Sequence, residues 1–502
     1  MIDIMFTSLV ELLTTPHIIG LMLIAVVFGL LVGVTPGIGG KLSIAMAIPF
    51  VYGMDMVAGA VFLLTMHAVN GTSGQISSIM FGIPGDGDDA ATTLDGYPLA
   101  KQGQAARALG ASITASGVGG IIGAVVFAIM IPILEPVVLM FSPAEFFLIA
   151  LLGISFIAFL SSGDSIVKGL IVGFYGLLLA TVGMDPQTGT PRYAGDMLFL
   201  WDGVSLVTAV LALFAIPEMI ALGVKGGAIS AVPMEDKNFS YRQLFQGVME
   251  VPRHWWLVLR TSVIGAVVGM IPGLGGSAAA WLCYGHAVQS SKHPERFGKG
   301  AIEGVIAPET ASNGKEGGSL LPTLFFGIPG SSGMAVLLGA FLILGIQPGA
   351  TMMTDHLDLV WTLIWALIVG NLIAVAILLF VCRWVARLTF VNGAVLVPFI
   401  MVFVAFGCYV SERQWQNLVM LVILSIVGYG LLRARWPRAP FVIGLVLGGQ
   451  AEASLNQALQ LWGYAFFLRP LSLVLIGMIV LLLATSVYKH RRRGSLNPEF
   501  SG

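Results

Sequence analysis

Stretches of roughly 20 mostly apolar residues, each long enough for a helix to cross a bilayer, recur along this chain. They cover residues 109–137, 143–160, 166–182, 203–222, 357–382, 391–410, 414–432, 440–459 and 470–488. Backbone N–H and C=O groups in hydrocarbon must be satisfied within their own segment, so such runs predict helices. The charge inventory agrees. Charged residues make up 10% of the 502 and apolar residues 57%, whereas a soluble domain carries about 25% charged. With 25 Lys+Arg and 26 Asp+Glu the chain cannot cover a water-facing surface, and a net charge of −1 offers no basic face to nucleic acid. Cys283, Cys382 and Cys408 sit in apolar stretches without CxxC spacing and read as small core residues.

The first Lys or Arg is Lys41, so the basic start of a cleavable secretory signal is not seen. Residues 1–16 read as an interfacial amphipathic segment with Asp3 and Glu11 on its polar side. The basic run Lys489-His490-Arg491-Arg492-Arg493 places the C-terminus in the cytoplasm by the positive-inside rule. Counting crossings backward keeps Arg433, Arg435, Arg438, Arg383 and Arg387 inside. The loop with Lys225, Lys237, Arg242 and Arg253 is cytoplasmic on the same reading, and the N-terminus falls outside.

Four segments do not fit a single crossing. Residues 17–54 and 255–289 are too long for one span and are interrupted by Pro-Gly-rich breaks; 56–98 and 301–349 are also long and broken. The breaks repeat. Gly33-Val34-Thr35-Pro36-Gly37-Ile38-Gly39-Gly40 matches Gly269-Met270-Ile271-Pro272-Gly273-Leu274-Gly275-Gly276, and Phe81-Gly82-Ile83-Pro84-Gly85 matches Phe326-Gly327-Ile328-Pro329-Gly330 in the same order. An Asn-Gly pair precedes each second motif, Asn70-Gly71 and Asn313-Gly314. The charge bookkeeping opens the first hairpin to the outside and the second to the cytoplasm. That predicts an all-helical membrane bundle of about 11–12 segments with two inverted repeats, each holding a re-entrant hairpin and a broken helix. The blander reading is that glycine-rich breaks only kink helices or let them pack closely.

Unwound backbone at depth leaves N–H groups that attract anions and carbonyls that suit Na⁺ or a proton relay. The expected substrate-binding residues are therefore Gly37, Gly39, Gly40, Asn70, Thr72, Ser73, Gly82, Pro84 and Gly85 in the first repeat. In the second they are Gly273, Gly275, Gly276, Asn313, Gly327, Pro329, Gly330, Ser331 and Ser332, with Ser77, Ser78 and Ser319 as further hydroxyls nearby. Lys41 could counter a substrate carboxylate or snorkel to the interface. Glu309 could couple transport to an ion or cap a helix. Asp86, Asp88 and Asp89 are candidates for the same work or form an acidic surface loop, and His67 reads as a packed core histidine. No cofactor, metal constellation or catalytic pair is called for. Gly40-Lys41 lacks the Ser/Thr and upstream Gly of a phosphate loop, and no HExxH or GxSxG occurs.

The run Gly82-Ile83-Pro84-Gly85 with Ala91-Thr92-Thr93-Leu94-Asp95-Gly96-Tyr97-Pro98-Leu99-Ala100-Lys101-Gln102-Gly103 resembles the signature of the large membrane subunit of tripartite tricarboxylate transporters, the TctA family. Pro308-Glu309-Thr310-Ala311-Ser312-Asn313 is similar to that family's PE-x-A-x-N element, leading into Gly327-Ile328-Pro329-Gly330 and Gly345-Ile346-Gln347-Pro348-Gly349. The resemblance implies a bacterial inner-membrane carrier importing tricarboxylates or related carboxylates with an Na⁺ or H⁺ gradient. It also implies a small membrane subunit and a periplasmic solute-binding protein as partners. Two departures stand beside the expected site: the acidic Asp86-Gly87-Asp88-Asp89, and Lys315-Glu316 where small residues are usual. The organisation expected is 17–107 and 255–350 as transport repeats, 108–222 and 351–488 as scaffold helices, 223–254 as a cytoplasmic loop and 489–502 as a basic tail. A gated organic-anion channel and an integral-membrane enzyme are the alternatives.

Overall fold

The structure is a computed structural model that describes residues 2–34, 39–82, 84, 87–161, 166–185, 188–225, 240–272, 275–388 and 413–496, with scattered residues between 397 and 409. These are almost wholly helical; among them the only ladder pairs Gly183–Met184 with Pro191–Arg192. The first half holds α1 (Ile2–Thr14), α2 (Pro16–Val34), α3 (Gly39–Val51), α4 (Met56–Phe81), α5 (Ala90–Leu99), α6 (Ala105–Leu139), α7 (Pro143–Ser161) and α8 (Ile166–Ala180). Next come α9 (Leu206–Val210) and α10 (Ile216–Lys225), joined by a widened turn, then α11 (Tyr241–Arg253), α12 (Trp255–Met270), α13 (Gly275–Ser290), α14 (Glu303–Phe326), α15 (Ser332–Ile343), α16 (Thr351–Thr354) and α17 (Leu357–Leu388). The chain closes with α18 (Gln416–Arg433), α19 (Ala439–Trp462) and α20 (Pro470–Leu496). The expected span at 391–410 lies mostly outside the described residues.

Among the described residues, five helical stretches, Pro16–Val34, Met56–Met80, Gly87–Leu139, Leu357–Val381 and Gln416–Arg433, are long and apolar enough to cross a membrane alone. Ala439–Leu468 and Pro470–Thr485 meet at a 67° bend and make a sixth if counted as one span. α14 is absent from that set because it carries Glu309, Lys315 and Glu316. Its polar side chains are tolerated because Gly304 through Phe325 are all buried in protein.

Glycine contacts give the direction of each packed pair. A β-carbon at Gly29 would stand 2.7 Å from the Met66 carbonyl oxygen, and one at Gly33 2.6 Å from that of Asn70. Both residue numbers rise together, so α2 and α4 run parallel and α3 must return between them. The chain direction therefore reverses between α2 and α3, as a hairpin requires. The second half repeats this: β-carbons at Gly265 and Gly269 would overlap the carbonyl oxygens of Ala311 and Lys315, so α12 and α14 are parallel with α13 returning.

The two halves oppose each other across α6 and α17. Gly117 abuts Val375 while Gly120 abuts Asn371, so the numbers run in opposite senses and these equivalent helices are antiparallel. Gly119 packs on Thr310 in one half as Gly370 packs on Thr65 in the other. In that register Asn371 is the counterpart of Gly120, and the two touch each other, which places them on the pseudo-two-fold axis. Equivalent spanning helices crossing antiparallel on such an axis are the geometry of an inverted repeat.

Outer helices follow the same symmetry. α1 packs antiparallel on α17, with Ser8 Oγ donating to the Asp358 carbonyl (3.2 Å) and Trp365 Nε1 to that of Met5 (2.9 Å). Within the stretch read as a cytoplasmic loop, α11 packs antiparallel on α6, where β-carbons at Gly110 and Gly247 would overlap the carbonyls of Leu244 and Arg107. Leu244, Gly247 and Val251 recur at helical spacing and are buried, while Phe245 and Met249 are exposed. The cationic residues nearby mask this amphipathic period in the sequence.

Candidate functional site

The two buried helices α4 and α14 end alike. Gly82 and Gly327 take left-handed φ angles of 69° and 67°, which costs a glycine nothing and ends the helix. Gly82 N–H donates to the Ser78 carbonyl (3.1 Å) and Ile328 N–H to that of Pro322 (3.0 Å). Pro84 is exposed and Pro329 buried. Gly330 is wedged where α14 meets α12: a β-carbon there would stand 2.5 Å from Ser319 Cβ and 2.7 Å from the Gly269 carbonyl oxygen. Ser331 caps α15, its hydroxyl accepting from Met334 N–H (3.2 Å).

Of the other expected residues, Gly37, Gly85, Asp86 and Gly273 lie outside the described residues. Gly39 and Gly40 open α3; Ser332 opens α15, and the description does not extend to its side chain or that of Lys41. Gly275, at φ +68°, and Gly276 open α13 at the second hairpin tip.

Several expected ligands are committed to the bundle. Ser73 Oγ donates to the Asn70 carbonyl (3.1 Å), Ser77 Oγ to that of Gly74 (2.9 Å) and Ser319 Oγ to that of Lys315 (2.5 Å). Asn313 Nδ2 reaches Asn371 Oδ1 (2.6 Å), the Ser116 carbonyl (3.0 Å) and Thr72 Oγ1 (3.2 Å), so Asn313 and Thr72 knit α14, α17, α6 and α4 together. Asn70 Nδ2 and Ser78 Oγ are buried without a hydrogen-bond partner, which leaves them available to a bound group.

The Asn-Gly pairs are not structural equivalents. Gly33 packs on Asn70, and its counterpart Gly269 packs on Lys315, so Asn70 corresponds to Lys315. Asn313 sits two positions earlier, about 200° around the helix, and faces another way.

What the sequence leaves unconnected is a buried polar cluster. Lys315 Nζ stands 2.7 Å from Glu316 Oε1 and 3.6 Å from Asp88 Oδ2, and His67 Nε2 stands 3.2 Å from Glu316 Oε2. Ser277, at the start of α13, donates to Asp88 Oδ1 (2.7 Å). The two departures from the family pattern are thus partners, and His67 is the neighbour of one of them. Asp89 is also buried, against Gly74, so this run is no simple surface loop. Burying such charges is costly unless they are paired, and here each contributes to a shared network.

Glu309 accepts from Thr92 Oγ1 of α5 (2.5 Å), while its Oε2 is buried with no partner. A carboxyl with one oxygen free at depth suits a proton or a cation. Asp95, by contrast, is fully used: it accepts from Tyr284 OH (2.9 Å) and from Gly300 and Ala301 N–H (2.8 Å each), binding α5 to the connection between α13 and α14.

Comparison with known proteins identifies the family. The family model described as the tripartite tricarboxylate transporter TctA family matches residues 19–443. An Agrobacterium vitis protein named "Uncharacterized 52.8 kDa protein in TAR-I ttuC' 3'region" is 32% identical over 470 residues, covering 92% of each chain. A second from the same organism, "Uncharacterized protein in TAR-II ttuC' 3'region", is 34% identical over 235 residues, 45% of this chain and 97% of the relative. No solved structure matches the chain.

Proposed function

Since the chain belongs to the tripartite tricarboxylate transporter TctA family, a family of transporters and not of enzymes, we propose that this multi-pass membrane protein imports tricarboxylates or related carboxylates driven by an ion gradient. Its work requires a small membrane subunit and a periplasmic solute-binding protein that delivers the substrate. It sits in a bacterial inner membrane with the C-terminus cytoplasmic and the N-terminus periplasmic, following the distribution of Lys and Arg.

The observation that carries this reading is the junction of the second hairpin tip with the start of α15. Gly275 and Gly276 at the start of α13, Ser331 at the start of α15 and the buried Lys315 converge there. Helix N-termini, a cation and small residues are what a carboxylate needs in a low-dielectric site. Glu309 is the ion-coupling residue, for Na⁺ or H⁺.

Uptake of radiolabelled citrate and a panel of di- and aromatic carboxylates tests the proposal, using vesicles that hold all three components, with and without an imposed gradient. Saturable uptake that collapses with the gradient is expected. Flux indifferent to gradient and binding protein would make the protein a channel instead.

A further inference from the structure

We infer that Asp88 is a built-in substitute for the substrate: its carboxylate occupies a subsite that receives one substrate carboxylate. This rests on the carboxylate-transport reading and specifies how that site is filled.

The subsite has three walls. Gly276 opens the 16-residue helix α13, and a β-carbon there would overlap Asp88 Oδ2, so the carboxylate lies directly on the helix start. Ser277 Oγ donates to Oδ1 (2.7 Å), and Lys315, a residue only 3% exposed, faces Oδ2 with its ammonium at 3.6 Å. A helix N-terminus, a hydroxyl donor and a buried cation form an anion site. The anion in it is a side chain that is 27% exposed, and so open to exchange.

Charge balance supports exchange over simple addition. Lys315 already faces the carboxylates of Asp88 and Glu316. A substrate carboxylate entering beside both would add a further negative charge to this buried cluster. If it replaces Asp88, the buried charge stays as it was, and the desolvation cost of an unpaired carboxylate is avoided. Asp88 lies in the short turn Gly87–Asp89 just after the break that ends α4, while Lys315 and Ser277 come from the second repeat. Exchange would therefore release one contact between the two repeats whenever substrate binds.

An occupant present in about nine-tenths of molecules weakens apparent affinity about tenfold. The test measures the concentration for half-maximal uptake, with citrate, succinate and benzoate as probes, in vesicles holding all three components. Asp88→Asn is expected to lower it about tenfold for the transported probe, and Asp88→Glu to restore the wild-type value. Lys315→Gln and Gly276→Ala weaken the hold on Asp88 and on the substrate carboxylate alike, so they are read in the Asp88→Asn background, where each is expected to raise it at least about tenfold because both remove a wall of the subsite. Ser277→Ala should raise it several-fold in that same background, and Asp88→Ser, which removes the occupant outright, provides the check should Asp88→Asn fail to fold. Unchanged or weaker apparent affinity in a folded Asp88→Asn carrier, or in Asp88→Ser where Asp88→Asn does not fold, overturns the inference while leaving the transport function intact. No uptake of any carboxylate by the wild type would overturn both.

Discussion

Asn313 on α14 donates to Asn371 on α17 across 2.6 Å, at the point where the two halves of the molecule meet their shared axis. Asn371 Nδ2 in turn donates to the Leu367 carbonyl (2.8 Å), so the pair is oriented as well as joined. Buried amides with defined partners fix the register of packed helices more sharply than apolar contacts do.

Asn371→Ala leaves a buried Asn313 donor short of its best acceptor. A loss of about 1–3 kcal/mol is expected, read as a lowered thermal midpoint of the purified protein in detergent. Asn313→Ala should cost a similar amount. The double variant should fall short of the sum, since the two share one hydrogen bond.

The contact of α6 with α14 depends on absent side chains. β-Carbons at Gly119 and Gly123 would overlap the carbonyl oxygens of Thr310 and Gly314. Gly119→Ala and Gly123→Ala should each force the helices apart and destabilise by roughly 1–3 kcal/mol. Gly285→Ala on α13 has nothing within 4 Å of the new carbon and should be neutral or mildly stabilising. Equal melting shifts at all three positions would contradict this packing.

Gly327 holds φ +67°, and a β-carbon there meets nothing nearer than 3.4 Å, so the cost of Gly327→Ala is backbone strain alone. The expected loss is about 1–2 kcal/mol, and Gly327→Asn should recover part of it because asparagine tolerates this conformation. A comparison of the two melting curves decides the point.

Glu309→Gln keeps an oxygen for the Thr92 hydroxyl but removes the ionisable group. Gradient-driven uptake is expected to fall at least about tenfold while exchange of internal for external substrate continues, as befits a residue that couples the ion. Loss of exchange as well would make Glu309 structural.

Much was legible in the sequence because its causes are local. Runs such as 357–382 determined that the chain is a helical membrane protein, since a helix satisfies its own backbone. The matched PGxGG and GIPG breaks marked the duplication and the helix ends, because proline and glycine stop a helix wherever it lies. The tertiary structure alone decided which residues share a register and which charges share a site. Asn70 and Asn313 look equivalent in the sequence, yet a two-residue difference turns a side chain to nearly the opposite face, and packing pairs Asn70 with Lys315. Asp88 and Lys315 each looked like an isolated departure. They meet because the chain reverses between α12 and α13 and brings Ser277 between the two repeats, a distance relation that no local pattern of residues encodes.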